Sequence, residues 1–66
     1  MKVWINGESK DLSDGMHLAD LIQSLGIRPE TVVSELNLEI IQAAERPQTR
    51  LSDGDRVELI QFVGGG

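Results

Sequence analysis

The residues best placed for chemistry stand at the last positions, Gln61-Phe62-Val63-Gly64-Gly65-Gly66. An α-carboxylate behind three glycines has an ordinary pKa of about 3.3–3.7 and is ionised at neutral pH. Glycine lacks a Cβ, so such a tail threads a narrow cleft and takes whatever φ a partner demands. At about 3.3–3.6 Å per extended residue, the three glycines carry the carboxylate roughly 10 Å past the last strand. The same tail is also what a frayed terminus looks like.

The rest of the chain offers little to catalyse a reaction. There is no cysteine and one histidine, which leaves no thiolate nucleophile, no disulfide and no Cys- or His-based zinc site. His17 has no evident partner and falls near a helix start, facing solvent. Asp53, Asp55 and Glu58 read first as plain turn and surface acids, with contact to basic groups of a partner as the alternative reading. The pattern is that of a substrate, not of a catalyst.

These residues need a small scaffold. Sixty-six residues make one domain at most, whose stability is about 3–5 kcal/mol and rests on Val, Ile and Leu. A net charge of −5, from 11 acids against 6 bases, argues against nucleic acid as a partner. No apolar run approaches the ~20 residues of a membrane span, and the start, "MKVWINGESKDL", lacks a signal peptide's apolar core. The chain is expected in the cytosol, away from membranes.

Residues 1–5 alternate, with Met1, Val3 and Ile5 on one face of a strand. Asn6-Gly7 signals a type I′ hairpin turn, and "ESKDL" is a polar, edge-like second strand. Leu18, Leu21, Ile22 and Leu25 fall at i, i+3, i+4 and i+7, one apolar stripe of a helix, with Gly26 as its stop. "ETVVSELN" and "LEIIQ" are two further strands. "QAAERPQTR" is an irregular connection, Ser52-Asp53-Gly54-Asp55 a turn, and "RVELIQFV" the last strand. The order ββαβββ predicts an α+β fold, a β-grasp. Strand 1 and the last strand pair in parallel in the middle of a mixed sheet, and one helix covers one face. Residues 1–63 form the domain and residues 64–66 a flexible tail.

Parity then sorts the last strand. With Val57 and Leu59 turned to the helix, Ile60 and Phe62 point away. Trp4, opposite in parity to Val3 and Ile5, joins them. Trp4, Ile60 and Phe62, with Val33 on their flank, are expected to form an open apolar face for partner docking beside the tail.

The stretches "VWINGE", "DGMHLADLIQSLGI", "VVSELNLEII" and above all "LSDGDRVELIQFVGGG" resemble the small sulfur carriers of bacterial thiazole (thiamine) biosynthesis. The likeness covers nearly the whole chain, with Leu38 standing where those proteins commonly have glycine. It implies a ubiquitin-like fold and a carrier that is no enzyme and binds no cofactor of its own. It implies that Gly66 is the modified residue, reached through Gly64 and Gly65. A ubiquitin-activating-like adenylyltransferase, using ATP and Mg²⁺, would adenylate its carboxylate. Sulfur from a persulfide would then replace AMP to leave a C-terminal 1-thioglycine. Thiazole synthase would take that sulfur, and the sulfur-donor enzyme would be an indirect partner. Two alternatives are a related carrier for molybdopterin synthesis, whose members are longer in the first half, and a regulatory β-grasp module without modification. One residue added after Gly66 separates the classes, since a carrier fails and a binding module does not.

Overall fold

The computed structural model describes residues 1–62. Its elements are β1 (Lys2–Ile5), β2 (Glu8–Asp11), α1 (Leu18–Ser24), β3 (Val32–Leu36), β4 (Glu39–Ile41) and β5 (Arg56–Gln61), with 3₁₀ segments at Pro29–Thr31 and Ala43–Gln48. The five strands form one sheet in the order β2-β1-β5-β3-β4. β1 and β5 run parallel at its centre, and the other neighbours are antiparallel. The expected order and central pairing are therefore present. Val63 and the glycine tail, residues 64–66, lie outside the described residues.

Both hairpins turn on two residues. Asn6 and Gly7 have φ of 50° and 85°, the left-handed pair that a type I′ turn requires. Asn37 and Leu38 repeat it with φ of 51° and 73°. The two asparagines also act as surrogate strand residues. Asn6 Nδ2 donates to the Leu59 carbonyl at 3.2 Å while the Leu59 N–H donates to Asn6 Oδ1 at 2.8 Å, extending the β1–β5 ladder past the end of β1. Asn37 Oδ1 accepts from the Arg56 N–H at 3.0 Å, its Nδ2 donates to Asp55, and its own N–H donates to the Arg56 carbonyl.

The core lies between the sheet and α1. Val3, Ile5, Val32, Val57 and Leu59 face Leu18, Leu21 and Ile22, with Leu51 joining from the loop before β5. Leu25, expected on the buried stripe, is exposed: α1 stops at Ser24, and Leu25 is the residue at which the helical path ends before Gly26 turns left-handed at φ 73°. The helix start is held by Asp20, whose carboxylate accepts the His17 N–H at 2.9 Å. His17 is half-buried there, 3.6 Å from the same carboxylate.

The connection expected to be irregular carries a 3₁₀ segment with a buried charge. β4 diverges from β3 after the Ser34–Ile41 pair, leaving edge carbonyls of β3 without a strand neighbour. Arg46 fills that place. Its Nη2 donates to the Val32 carbonyl at 2.6 Å, its Nη1 to the Pro29 carbonyl at 2.9 Å and its Nε to Ser34 Oγ at 2.9 Å. The planar fork of the guanidinium suits three acceptors spread over one edge.

Candidate functional site

α1 covers one face of the sheet, so β1, β3 and β5 bury one side-chain parity and leave the other open, while the edge strand β2 is exposed along its length. In β5 Val57 and Leu59 are buried while Arg56, Glu58 and Ile60 are exposed. Register carries the pattern sideways. Val33 stands opposite Ile60, Glu35 opposite Glu58, and Ile40 opposite Glu35. Phe62 follows on, its N–H donating to the Thr31 carbonyl at 3.0 Å, so the chain is still paired with β3 at that point.

Of the exposed large apolar residues, Ile40 (62% exposed), Ile60 (55%), Phe62 (51%) and Val33 (37%) lie on this side, while Leu38 (90%) stands in the β3–β4 turn and Leu25 lies elsewhere. Val33, Ile40 and Phe62 also line one shallow cavity of about 260 Å³ that reaches Arg46 under the β3 edge. An open apolar surface of this kind marks a contact surface more often than chance exposure does.

Ile60 and Phe62 thus lie on the open face at the end that leads to the tail. Trp4 shares the parity but stands elsewhere. It pairs with Arg56, four residues before Ile60 on β5, which is ~13 Å at about 3.3 Å per residue. Trp4 is half-buried, with the Lys2 ammonium 6.0 Å from its ring centre. The apolar cluster is built from β3, β4 and β5 and not from β1 and β5. Sequence parity found the face. It missed Ile40, because nothing in "LEIIQ" says which parity of a three-residue edge strand is covered.

The polar members of the face include both signs of charge, Glu35 and Glu58 with Arg56 two residues from Glu58 on β5. Glu35 and Glu58 sit directly across from each other, and neither is ion-paired among the described residues. Glu30, at the margin, differs. Its carboxyl is held below the usual carboxylate range, chiefly by a hydrogen bond from its own backbone amide, with the Arg28 guanidinium 3.2 Å away adding to the effect. Asp53 and Asp55 are occupied within the fold: Asp53 accepts the N–H of Lys2 at the start of β1 at 2.7 Å, and Asp55 accepts the Ser52 N–H of its own turn at 2.7 Å. Gly64, Gly65 and Gly66 lie outside the described residues, so the site's geometry stops at Phe62. Among the described residues no group of His, Cys, Asp or Glu is arranged to hold a metal, and no helix is long and apolar enough to cross a membrane.

A mixed five-stranded sheet with a central parallel pair, wrapped around one helix, defines a ubiquitin-like β-grasp protein. The model of the ThiS family matches residues 3–66. The sulfur carrier protein ThiS of Thermus thermophilus is 36% identical over 64 residues, covering 97% of this chain and 98% of that protein. A thiazole synthase of Paramagnetospirillum magneticum is 39% identical over 66 residues, all of this chain, which spans 20% of that relative's length. The crystal structure of the thiamine biosynthesis protein ThiS from Geobacter metallireducens superposes with a TM-score of 0.85 at 30% identity, with both chains covered in full. This chain belongs to the ThiS family.

Proposed function

We propose that this protein carries sulfur as a thiocarboxylate on Gly66 and delivers it for thiazole formation in thiamine biosynthesis, in the cytosol. In this reading the Gly66 carboxylate attacks the α-phosphate of ATP on a ubiquitin-activating-like adenylyltransferase, with Mg²⁺ held by that partner, and pyrophosphate leaves. The acyl-adenylate is electrophilic at its carbonyl carbon. The outer sulfur of a persulfide bonds to that carbon as the bond to AMP breaks, and a thiol then reduces the S–S bond of the resulting acyl disulfide, leaving the thiocarboxylate on Gly66 and a disulfide on the donor side. Thiazole synthase then takes the sulfur. The chain supplies the acyl group, its slim approach and a docking face, while the partners supply the catalysis.

The observation that carries this reading is the family match, which runs through Gly66 and so includes the glycine tail. Two features agree with it. The open face is apolar up to Phe62, the last described residue before the tail. A relative named thiazole synthase holds a stretch similar to the whole of this chain, which favours thiazole over molybdopterin as the destination of the sulfur.

Intact mass after incubation with ATP, Mg²⁺, the adenylyltransferase and a sulfur donor tests the proposal. The expected result is exchange of one oxygen for sulfur, located at Gly66 by fragmentation. The variant lacking Gly66 is expected to stay folded by circular dichroism and to form no acyl-adenylate. Loading of that variant at the parent's rate would remove the carrier reading.

A further inference from the structure

We infer that the placement of amines in this fold keeps an activated Gly66 carboxyl from acylating its own chain, and that the cations within reach of the tail are arginines for that reason. An acyl-adenylate is open to attack by an amine as well as by sulfur. The amine nitrogen would bond to the acyl carbon, AMP would leave with the electron pair of the broken bond, and the proton would pass to water. The product, an internal amide, cannot take up sulfur. This rests on the function proposed above and adds a constraint that the function places on the rest of the surface.

The chain carries two lysines, Lys2 and Lys10, against four arginines, Arg28, Arg46, Arg50 and Arg56, and no cysteine. Register puts both lysines at the end of the sheet away from the tail. Trp4 pairs with Arg56 in the parallel β1–β5 ladder, six residues before Phe62, or ~20 Å at about 3.3 Å per residue. Lys2 lies two residues further back along β1, so ~26 Å from Phe62 along the strands. Lys10 stands opposite Val3 on β2, which places it ~23 Å back and two strands, roughly 10 Å, to the side. The Met1 α-amino group is at the same end, donating to the Leu12 carbonyl at 2.8 Å and to Asp14 Oδ1 at 3.3 Å. From Phe62, residues 63–66 span about 13–14 Å at full extension, and a lysine stem adds roughly 6 Å. Together they fall short of every amine while β5 stays paired as far as Phe62, whose N–H donates to the Thr31 carbonyl at 3.0 Å.

The tail end of the sheet has cations, and they are guanidinium groups. The Thr31 N–H donates to the Arg28 carbonyl at 2.9 Å, and the Thr31 carbonyl accepts from Phe62. One turn, under ~7 Å, and one strand spacing, ~5 Å, therefore separate Arg28 from Phe62, well inside the reach of residues 63–66. The Arg28 side chain is exposed and paired with Glu30 at 3.2 Å. Arg46, which lines a cavity with Phe62, is a second guanidinium at this end. A guanidinium stays protonated in proteins and offers no free lone pair. A lysine, with a pKa of about 10.4, is a free amine in a small fraction of molecules at neutral pH. On a short tether that fraction works at an effective concentration on the order of mM. The Thr31 hydroxyl beside Arg28 donates to the Arg28 carbonyl at 2.8 Å. Positive charge is thus supplied next to the tail without a nitrogen nucleophile.

The test uses the full chain with a thioester at Gly66, made by intein cleavage, as a stand-in for the adenylate, so that no partner covers the tail. Intact mass at mildly alkaline pH separates ring closure, which leaves the chain short of one water, from hydrolysis to the free acid. The parent is expected to hydrolyse without forming a ring. Arg28→Lys, which keeps the charge, is expected to close a ring at least about tenfold faster than the parent, with fragmentation placing the bridge between position 28 and Gly66. Gln61→Lys, at an exposed position on β5 itself, repeats the test should Arg28→Lys melt below the parent. Ring closure in the parent through Lys2 or Lys10 would overturn the inference. So would ring closure no faster in either variant than in the parent, since distance would then not be what protects the acyl group. Failure of the adenylyltransferase to activate the parent chain, scored in a separate assay, would instead remove the carrier reading and with it the reason for the arrangement, whatever the thioester shows.

Discussion

Arg46 holds a charge where the sheet has run out of strand. Its three nitrogens satisfy Val32, Pro29 and Ser34 at the edge that β4 abandons, and Ser34 Oγ passes a further bond to the Ile41 carbonyl at 2.9 Å. A lysine has the charge but one nitrogen, so it cannot reach all three acceptors. Each buried acceptor left without a donor costs about 1–3 kcal/mol. Arg46→Lys is therefore expected to lose at least about 2 kcal/mol, a large share of the ~3–5 kcal/mol available to a domain of this size. Urea denaturation measures it, and an unchanged midpoint would show that water replaces the guanidinium at the edge. The residue was not legible beforehand. "QAAERPQTR" has no period that separates a buried arginine from an exposed one, and the acceptors come from two other segments.

At the scale of elements, α1 is short, and its stability comes from packing and not from propensity. Leu18, Leu21 and Ile22 are all buried in the core, whereas Leu25 is not. Leu21→Ala removes a side chain that is fully buried against the sheet and is expected to cost roughly 2–5 kcal/mol, leaving the protein largely unfolded. Leu25→Ala should cost much less, within about 0.5 kcal/mol as at other exposed sites. Thermal melts of the two variants side by side check the boundary of the helix. Equal losses would mean that the stripe extends one turn further than Ser24.

For the whole molecule, parity and register divide the open face into two ends. Phe62 lies at the end leading to the tail, Trp4 at the end where β5 begins. The two aromatics are therefore expected to behave differently when truncated. Phe62→Ala should melt within about 0.5 kcal/mol of the parent while its affinity for the adenylyltransferase falls about thirtyfold, the loss of a binding hot spot. Trp4→Ala, half-buried and beneath Lys2, should cost more stability than Phe62→Ala. Melting curves and a binding titration on each variant decide it. If Phe62→Ala binds normally, recognition near the tail does not use the aromatic ring.

The amino-acid sequence by itself determined the elements and their order. Alternation in "MKVWI" and "RVELIQFV", the Leu18–Leu21–Ile22 stripe and the Asn6-Gly7 turn are local signals, carried by neighbours in the chain and set by backbone geometry. With one helix available, they also imply that one face of the sheet stays open, which places Ile60 and Phe62 outside. Tertiary structure decided which strands share that face and in what register. Trp4 ended opposite Arg56, and Ile40, Val33 and Ile60 came together, because pairing across β1–β5 and β3–β5 is fixed by contacts between residues far apart in sequence. The same long-range register set Glu35 against Glu58, put Arg46 at the broken edge, and gave Leu38 a glycine's backbone without a glycine's freedom. None of these is a property of any short stretch. Each arises where two segments meet, and the sequence of either one alone does not record the meeting.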